Sequence, residues 1–485
     1  MVTISDALAI AVQHQRAGRL PEAAEICRRI LDVEPEHVGA RSLLESIARH
    51  RNLQAAQHCL VQGNALAREG KSAEAVACCR QAVELAPDFA PAHNNLSVLL
   101  RSQGNWDEAV ACGRRALELE PDHAEVHYNL GAALQERGDL DDALACYRKA
   151  VELKADFADG HMGLAGIHLL RGDFRQGWLE YEWRWRTKQV PPRPFRQPLW
   201  DGGSLAGKTI LLYPEQGLGD VIQFIRYAPL VKRLGATVIV ECQKPLLPLL
   251  ATCAGIDRLV GQGDQLPPFA THSPLLTLPR IFQTSLDKMP AAGPYLFAAP
   301  ALIESWRKKL SDLPGYKIGI HWQGRPGQGP WRVRNIPLRQ FAPLAEIPGV
   351  RLISLQKGAG CEELAQVREH FPVVELGDEV DQAAGAFMDT AAIIKNLDLV
   401  ITCDTALAHL AGALGAPVWV ALPRVPEWRW LLDRSDSPWY PTMRLFRQKA
   451  LGDWPSVFAE IRGALGERPG FALPRAGEGG EERPG

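Results

Sequence analysis

Over the first 186 residues apolar positions recur at the three- and four-residue spacing of amphipathic helices, and a slower rhythm repeats that pattern. The segments "REGKSAEAVACCRQAVELAPDFAPAHNNLSVLL", "SQGNWDEAVACGRRALELEPDHAEVHYNLGAAL" and "ERGDLDDALACYRKAVELKADFADGHMGLAGIHL" align with a period of 34 residues. Gly70, Gly104, Gly138 and Gly172 separate the two helices of each unit; Pro87 and Pro121 end the second helix, and Ala155 takes that place in the third unit. An earlier unit runs from about Ser5 to Pro35 around Gly18. Gly18 and Gly70 are 52 residues apart, one period plus 18, which predicts an irregular or missing helix near "ARHRNLQAAQHCLVQ", within residues 37–69. The tryptophan-rich "GWLEYEWRWR", with Tyr181, Trp183 and Trp185, is expected to close the array as a capping helix.

The rhythm then changes. A proline- and glycine-rich stretch, "TKQVPPRPFRQPLWDGGSLAG", reads as a linker. From Lys208 short, wholly apolar runs alternate with helical ones: "TILLY", "TVIVEC", "RLVG" and "PLLTL", then, after "ALIESWRKKLSDL", "KIGIHWQG", "VRLISLQ", "PVVELG", "LDLVITCD" and "PVWVAL". Strands apolar on both faces belong to parallel sheets covered by helices. The expected architecture is an α-solenoid followed by two Rossmann-like α/β units: residues 1–186 helical repeat, 187–206 linker, 207–300 and 301–467 the two α/β units, and 468–485 a disordered tail.

Charge narrows the partners. With 54 basic and 56 acidic side chains the net charge is −2, so no bulk field favours nucleic acid or an anionic membrane, and any anion site must be local. No stretch approaches the roughly 20 apolar residues that span a bilayer. The amino terminus shows no secretory leader, and the expected location is cytoplasmic. The ten cysteines form no C-x-x-C pair, and Cys78, Cys112 and Cys146 share one repeat position, as small packing residues do. His93, His127 and His161 share another, and read as packing or groove residues.

Three segments carry candidate chemistry. "PEQGLGDVI" places Gly217 and Gly219 where the first two glycines of a dinucleotide fingerprint fall, with Glu241 at the distance of a ribose-binding acid; Ile222 occupies the third glycine position and speaks against a dehydrogenase. Asp220 in that turn is either a helix cap or a base. "LVITCDTALAHLAGALGAP" delivers Asp404 and Thr405 to a helix start, with His409 beyond; orphan N–H groups there suit a phosphate, and a capped core helix is the other reading. "HWQGRPGQGPWRVRNIP" carries Arg325, Arg332 and Arg334, fitted to bidentate anion contacts, and Lys357 ends the next strand as a further phosphate contact.

Period, glycines, alanines and terminal prolines make the first third resemble the tetratricopeptide repeat, whose groove can hold a protein or peptide. The order "EQGLGDVIQF", "SLQKG", "DTALAHLAGALGAPVW" and "PEWRWLLDRSDSPWYPTMRLFRQ" resembles the heptosyltransferase family, glycosyltransferase family nine, of GT-B fold. That resemblance implies an inverting, metal-independent transfer from a nucleotide-sugar to a hydroxyl, with no cofactor. It implies Asp220 as base and Arg334, Asp404, Thr405 and His409 around the donor, which Gly217, Gly219, Arg325 and Lys357 are expected to join as the glycine clearance and anion contacts of those same loops. Ala406 stands where that family usually has glycine. A repeat scaffold with an inactive nucleotide-sugar site, and an epimerase of related fold, are the alternatives. Deleting residues 1 to about 185 is expected to spare donor binding. Donor, acceptor and oligomeric state stay open.

Overall fold

The computed structural model describes residues 3–187, 193–291, 293–324, 333–382 and 385–467, and the chain divides into two compact units, Met1–Phe157 and Ala158–Gly485. The tail 468–485 lies outside the described residues.

The first unit is helical: α1 (Ile4–Arg16), α2 (Leu20–Val33), α3 (Val38–Arg68), α4 (Ser72–Leu85), α5 (Ala90–Gln103), α6 (Trp106–Leu119), α7 (Ala124–Arg137) and α8 (Leu140–Leu153). The repeat glycines at 18, 70, 104 and 138 all adopt φ between 75° and 105°, the left-handed conformation that ends a helix and that a side chain resists. The rings of His93 and His127 hydrogen-bond the carbonyls of Pro87 and Pro121 at 2.9 and 2.8 Å, closing their own repeats.

The expected irregular helix near residues 37–69 is instead a single uninterrupted one. α3 runs 31 residues. Between Gly39 and Gly63 the sequence holds neither proline nor glycine, so nothing stops the helix where the period would require a turn. Its two halves serve two cores: Ala40, Leu43 and Ile47 pack with Ala11, Ala23, Cys27 and Ile30, while Ala56 and Cys59 pack with Ala82 and Ala92. The surplus of 18 residues is thus helix length shared between neighbouring repeats.

The second unit opens with α9 (Ala158–Leu170), α10 (Phe174–Tyr181) and a 3-10 turn, Glu182–Arg186. These belong with the α/β part that follows, not with the repeats before them. Trp178 Nε1 donates to the Thr284 carbonyl at 3.1 Å, and the Trp178 ring meets Trp428 edge-on at 5.3 Å.

A four-stranded parallel sheet follows, in the order β3-β2-β1-β4, from β1 (Thr209–Tyr213), β2 (Thr237–Cys242), β3 (Arg258–Gly261) and β4 (Thr271–Pro274). α11 (Leu218–Phe224) and α12 (Ala228–Arg233) connect β1 to β2. The fourth strand is the polar "THSP", and the apolar "PLLTL" that follows turns off the sheet as a 3-10 segment. Thr271 and Ser273 satisfy their hydroxyls on the Pro198 and Pro274 carbonyls, which lets polar residues lie buried in a strand. The described linker residues lie on the sheet edge: Leu199 bridges to His272, and Trp200 N donates to the His272 carbonyl at 2.8 Å.

After α13 (Pro300–Leu310), the second sheet is parallel throughout, ordered β6-β5-β7-β8-β9. Its strands are β5 (Tyr316–His321), β6 (Val350–Ser354), β7 (Leu399–Thr402), β8 (Val418–Leu422) and β9 (Met443–Arg447). "PVVELG" contributes only a single bridge, Val374 to Ile353, while β9 comes from "MRLFR". α14 (Met388–Ile394), α15 (Ala406–Ala413) and α16 (Trp454–Gly466) complete this layer.

Candidate functional site

The two sheets each send one helix from a strand end toward the other: α11 after β1, and α15 after β7. The helices meet at their first turns. A Cβ built on Gly219 would lie 3.0 Å from His409 Cδ2 and 3.4 Å from the Ala406 Cα, so any side chain at 219 would press the two starts apart by a few tenths of an ångström. Ala406 therefore faces a glycine on the opposite helix.

Asp220 is both cap and cleft residue. Its Oδ2 accepts from Gly217 N at 2.8 Å, which satisfies a donor at the start of α11. Its Oδ1 binds Arg429 Nη2, a contact that joins residues of the two α/β layers. The same guanidinium bonds Glu427 through Nη1 and Gln223 Oε1 through Nε at 2.5 Å, and lies 4.2 Å from the Trp428 ring centre. Side-chain exposure of 7% at Arg429, against 18% at both Asp220 and Glu427, places the cation inside and the carboxylates at the opening. Burial pushes the Glu427 carboxyl up to about 7, opposed by the Arg429 charge.

The wall from β7 and α15 carries Asp404, Thr405 and His409. Asp404 is 6% exposed, and its Oδ2 lies 3.9 Å from Arg334 Nη1. Burial raises the Asp404 carboxyl, against the pull of Arg334. Thr405 is the N-cap residue of α15, with extended backbone, and its hydroxyl lies 3.3 Å from His321 Nδ1 at the end of β5. His409 Nδ1 pairs with Tyr440 Oη at 2.9 Å, and the ring stacks on Trp430 at 5.2 Å. Burial first, then Arg429, Arg226 and Arg334, hold this imidazole well below its ordinary range, hence neutral.

Gly217, Gly219, Asp220, Arg334, Asp404, Thr405 and His409 thus gather where the first turns of α11 and α15 meet. Arg325 and Arg332 lie outside the described residues. Lys357 stands apart from that cluster: its Nζ donates to the Val380 carbonyl at 2.5 Å and to Asp381 Oδ2 at 2.8 Å. It lines a cavity of about 570 Å³ beyond β6, with Ser354, Gln356, Glu375 and Thr390. Gln356 ties this cavity to the chain that leaves β5, accepting from Trp322 N and Gln323 N and donating to the carbonyls of Gln323 and Ala359. Glu241, weighed as a ribose-binding acid, is buried and paired with Arg193, so it does not offer itself to a dinucleotide.

Sequence reasoning missed Arg429, Glu427 and His321. The signal for the first two was present in "PEWRW", where an acid and a base two apart are set among tryptophans. The Asp220 that Arg429 binds, however, is 209 residues away. Among the described residues no group of three His, Cys, Asp or Glu side chains is placed to hold a metal ion, and no helix is long and apolar enough to cross a membrane.

Residues 56–89 and 88–156 match family models described as tetratricopeptide repeat, and this part of the chain consists of such repeats. Among curated proteins the chain is similar to Protein FlbA of Caulobacter vibrioides, 28% identical over 324 residues, covering 61% of this chain and 53% of that one. The chain therefore spans about half the length of this relative. Among solved structures it is similar to an O-GlcNAc transferase mutant of Thermobaculum terrenum (17% identity, 87% of this chain and 91% of that chain, TM-score 0.34). It is also similar to a glycosyl transferase family 9 protein of Veillonella parvula (11% identity, 55% and 92% covered, TM-score 0.39).

Proposed function

We propose that the second unit transfers a sugar, with inversion and without a metal, from a nucleotide-sugar donor to a hydroxyl acceptor, and that the tetratricopeptide repeats recruit the acceptor or a partner protein. The observation that carries this reading is the meeting of two strand-end helices, one offering Asp220 and the other the cap Thr405 with Asp404 and His409.

In this reading the donor's diphosphate lies at the start of α15. Unpaired N–H groups and the helix dipole there favour developing negative charge, and Arg334 adds a full positive charge. Thr405 Oγ1 donates a hydrogen bond to the same group or to His321. Asp404 and neutral His409 hold sugar hydroxyls. Lys357 and the cavity beyond β6 take the nucleoside side of the donor. The acceptor hydroxyl approaches Asp220, which receives its proton as the oxygen attacks the anomeric carbon from the face opposite the leaving diphosphate. Each oxygen of Asp220 accepts one hydrogen bond from the protein and keeps a lone pair for this proton.

The engagement of both Asp220 oxygens also favours a second reading, a repeat scaffold whose nucleotide-sugar site does not turn over. The deciding experiment has two steps. UDP-glucose, UDP-N-acetylglucosamine, dTDP-rhamnose, GDP-mannose and ADP-glucose are screened for thermal stabilisation, which grows as RT ln(1 + [L]/Kd) for a ligand bound by the folded state. Nucleotide release is then measured with and without candidate hydroxyl acceptors, for wild type and Asp220→Asn. Stabilisation with acceptor-dependent release that Asp220→Asn abolishes supports the transferase; stabilisation with no release supports the scaffold; conversion of the sugar without acceptor supports an epimerase.

A further inference from the structure

The loop between β1 and α11 is held by residues that the sequence pattern assigned to the end of the repeat array. Glu215 follows β1 by two residues and precedes Asp220 by five. Its side chain is 1% exposed, and both its oxygens are taken by Arg184: Nε to Oε1 at 2.6 Å and Nη2 to Oε2 at 3.2 Å. Leu276 N also donates to Oε2 at 3.2 Å. Arg184 is itself 1% exposed, and its remaining donors reach Glu182 Oε1 at 2.7 Å, the Tyr181 carbonyl at 3.1 Å and Thr277 Oγ1 at 2.7 Å. The next loop residue, Gln216, donates through Nε2 to Tyr181 Oη at 3.1 Å.

The same segment grips the other side of the opening. Tyr181 and Trp178 pack edge-on against Trp428, with ring centres 6.1 and 5.3 Å away, and the Arg429 guanidinium that binds Asp220 lies over that indole. One short stretch therefore touches the loop that carries Asp220 and the indole beneath the cation that receives it. Apolar packing alone could fasten a terminal helix to a sheet. Burying a carboxylate and a guanidinium adds desolvation cost without a matching gain in stability, but a bidentate pair permits only one geometry.

We propose that Arg184 and Tyr181 are positioning residues for Asp220: through Glu215 and Gln216 they fix the loop, and through Trp428 they fix its partner Arg429. The functional part of this statement rests on the transferase reading, whereas the part concerning loop order does not.

The test uses the full chain. Arg184→Met combined with Glu215→Gln removes the charge pair together, leaves no unpaired buried charge, and keeps an acceptor for Leu276 N. Tyr181→Phe removes only the hydroxyl, and Arg184→Lys keeps the charge but not the fork. Backbone hydrogen exchange of residues 215–220, measured without ligand, is expected to quicken about tenfold or more in the double variant while core-strand exchange stays near wild type. Tyr181→Phe should show a smaller effect at the same residues, and Arg184→Lys should not restore wild-type exchange. With the nucleotide sugar from the panel that stabilises wild type most, kcat should fall about tenfold to a hundredfold with KM within about threefold, as expected when a reacting group is misplaced by an ångström. Unchanged exchange at 215–220 in the double variant overturns the proposal, as does faster exchange with unchanged kcat. A wild type that never releases nucleotide overturns the transferase reading instead, and exchange then decides the loop proposal alone.

Discussion

Removing residues 1–185 should unfold the second unit, whereas removing residues 1–157 should leave it folded. The longer deletion takes α9, α10 and most of the turn that follows, including Phe174, Trp178 and Tyr181, which are 1%, 3% and 6% exposed. Each such aromatic buries on the order of 150–250 Å², so at ~25 cal/mol per Å² the three contribute roughly 11–19 kcal/mol of burial, an upper figure for an extended unfolded chain. Glu215 would also lose Arg184, the cation that holds both its oxygens. The aromatic burial alone is comparable with the roughly 5–15 kcal/mol that holds a whole domain. The assay is urea unfolding followed by tryptophan fluorescence and far-ultraviolet circular dichroism on chains beginning at residues 158 and 186. The chain from 158 should unfold cooperatively, and the chain from 186 should lack a folded baseline. A cooperative transition in the chain from 186 with a midpoint equal to that of the longer one would refute the reasoning. The structure thus moves the cut that should spare donor binding from about residue 185 to residue 157.

Arg429→Met should destabilise by ~3–5 kcal/mol in urea unfolding, because Asp220 and Glu427 lose their shared cation, whereas Glu427→Gln should cost under about 1.5 kcal/mol since burial already pushes that carboxyl up to about 7. Burial lowers His321 from 6.5 to about 4, so below pH 6.5 the unfolded chain binds a proton that the folded chain refuses, and stability is lost as pH falls toward 4. Between pH 7 and pH 5 this amounts to ~2 kcal/mol, which His321→Gln should remove from the wild-type difference in unfolding free energy. Gly412→Ala would set a Cβ 2.4 Å from Tyr440 Cδ1, so it should cost about 3 kcal/mol and free His409 from the Tyr440 hydroxyl, visible as a shifted imidazole resonance.

The repeats were legible because their punctuation is local: a glycine at positive φ and a proline at the next helix end mark a turn whatever surrounds them. α3 was not, since a period defined by breaks cannot describe a segment where the break is missing and one helix supplies two cores. β4 hid for the opposite reason. Three of its four residues are polar; Thr271 is made fit for burial by a tertiary hydrogen bond to the Pro198 carbonyl, and Ser273 by one to the carbonyl of its neighbour Pro274.

The site divides along the same line. Asp220, Asp404 and Thr405 stand at strand-to-helix junctions, which short patterns reveal. What each does there depends on residues far along the chain, and "EWRWR" shows how misleading proximity can be. Adjacent in sequence to the repeats, it reads as their cap; its arginine lies buried against Glu215, 31 residues later, and the tyrosine before it against Trp428. Gly219 shows the same for a glycine. As part of "GLGD" it suggested room for a nucleotide or a sugar, yet the space a side chain would need is filled by His409 and Ala406 of the facing helix. Its function in the fold is to let two helix starts touch. Ala406→Gly would therefore open a gap beside Gly219.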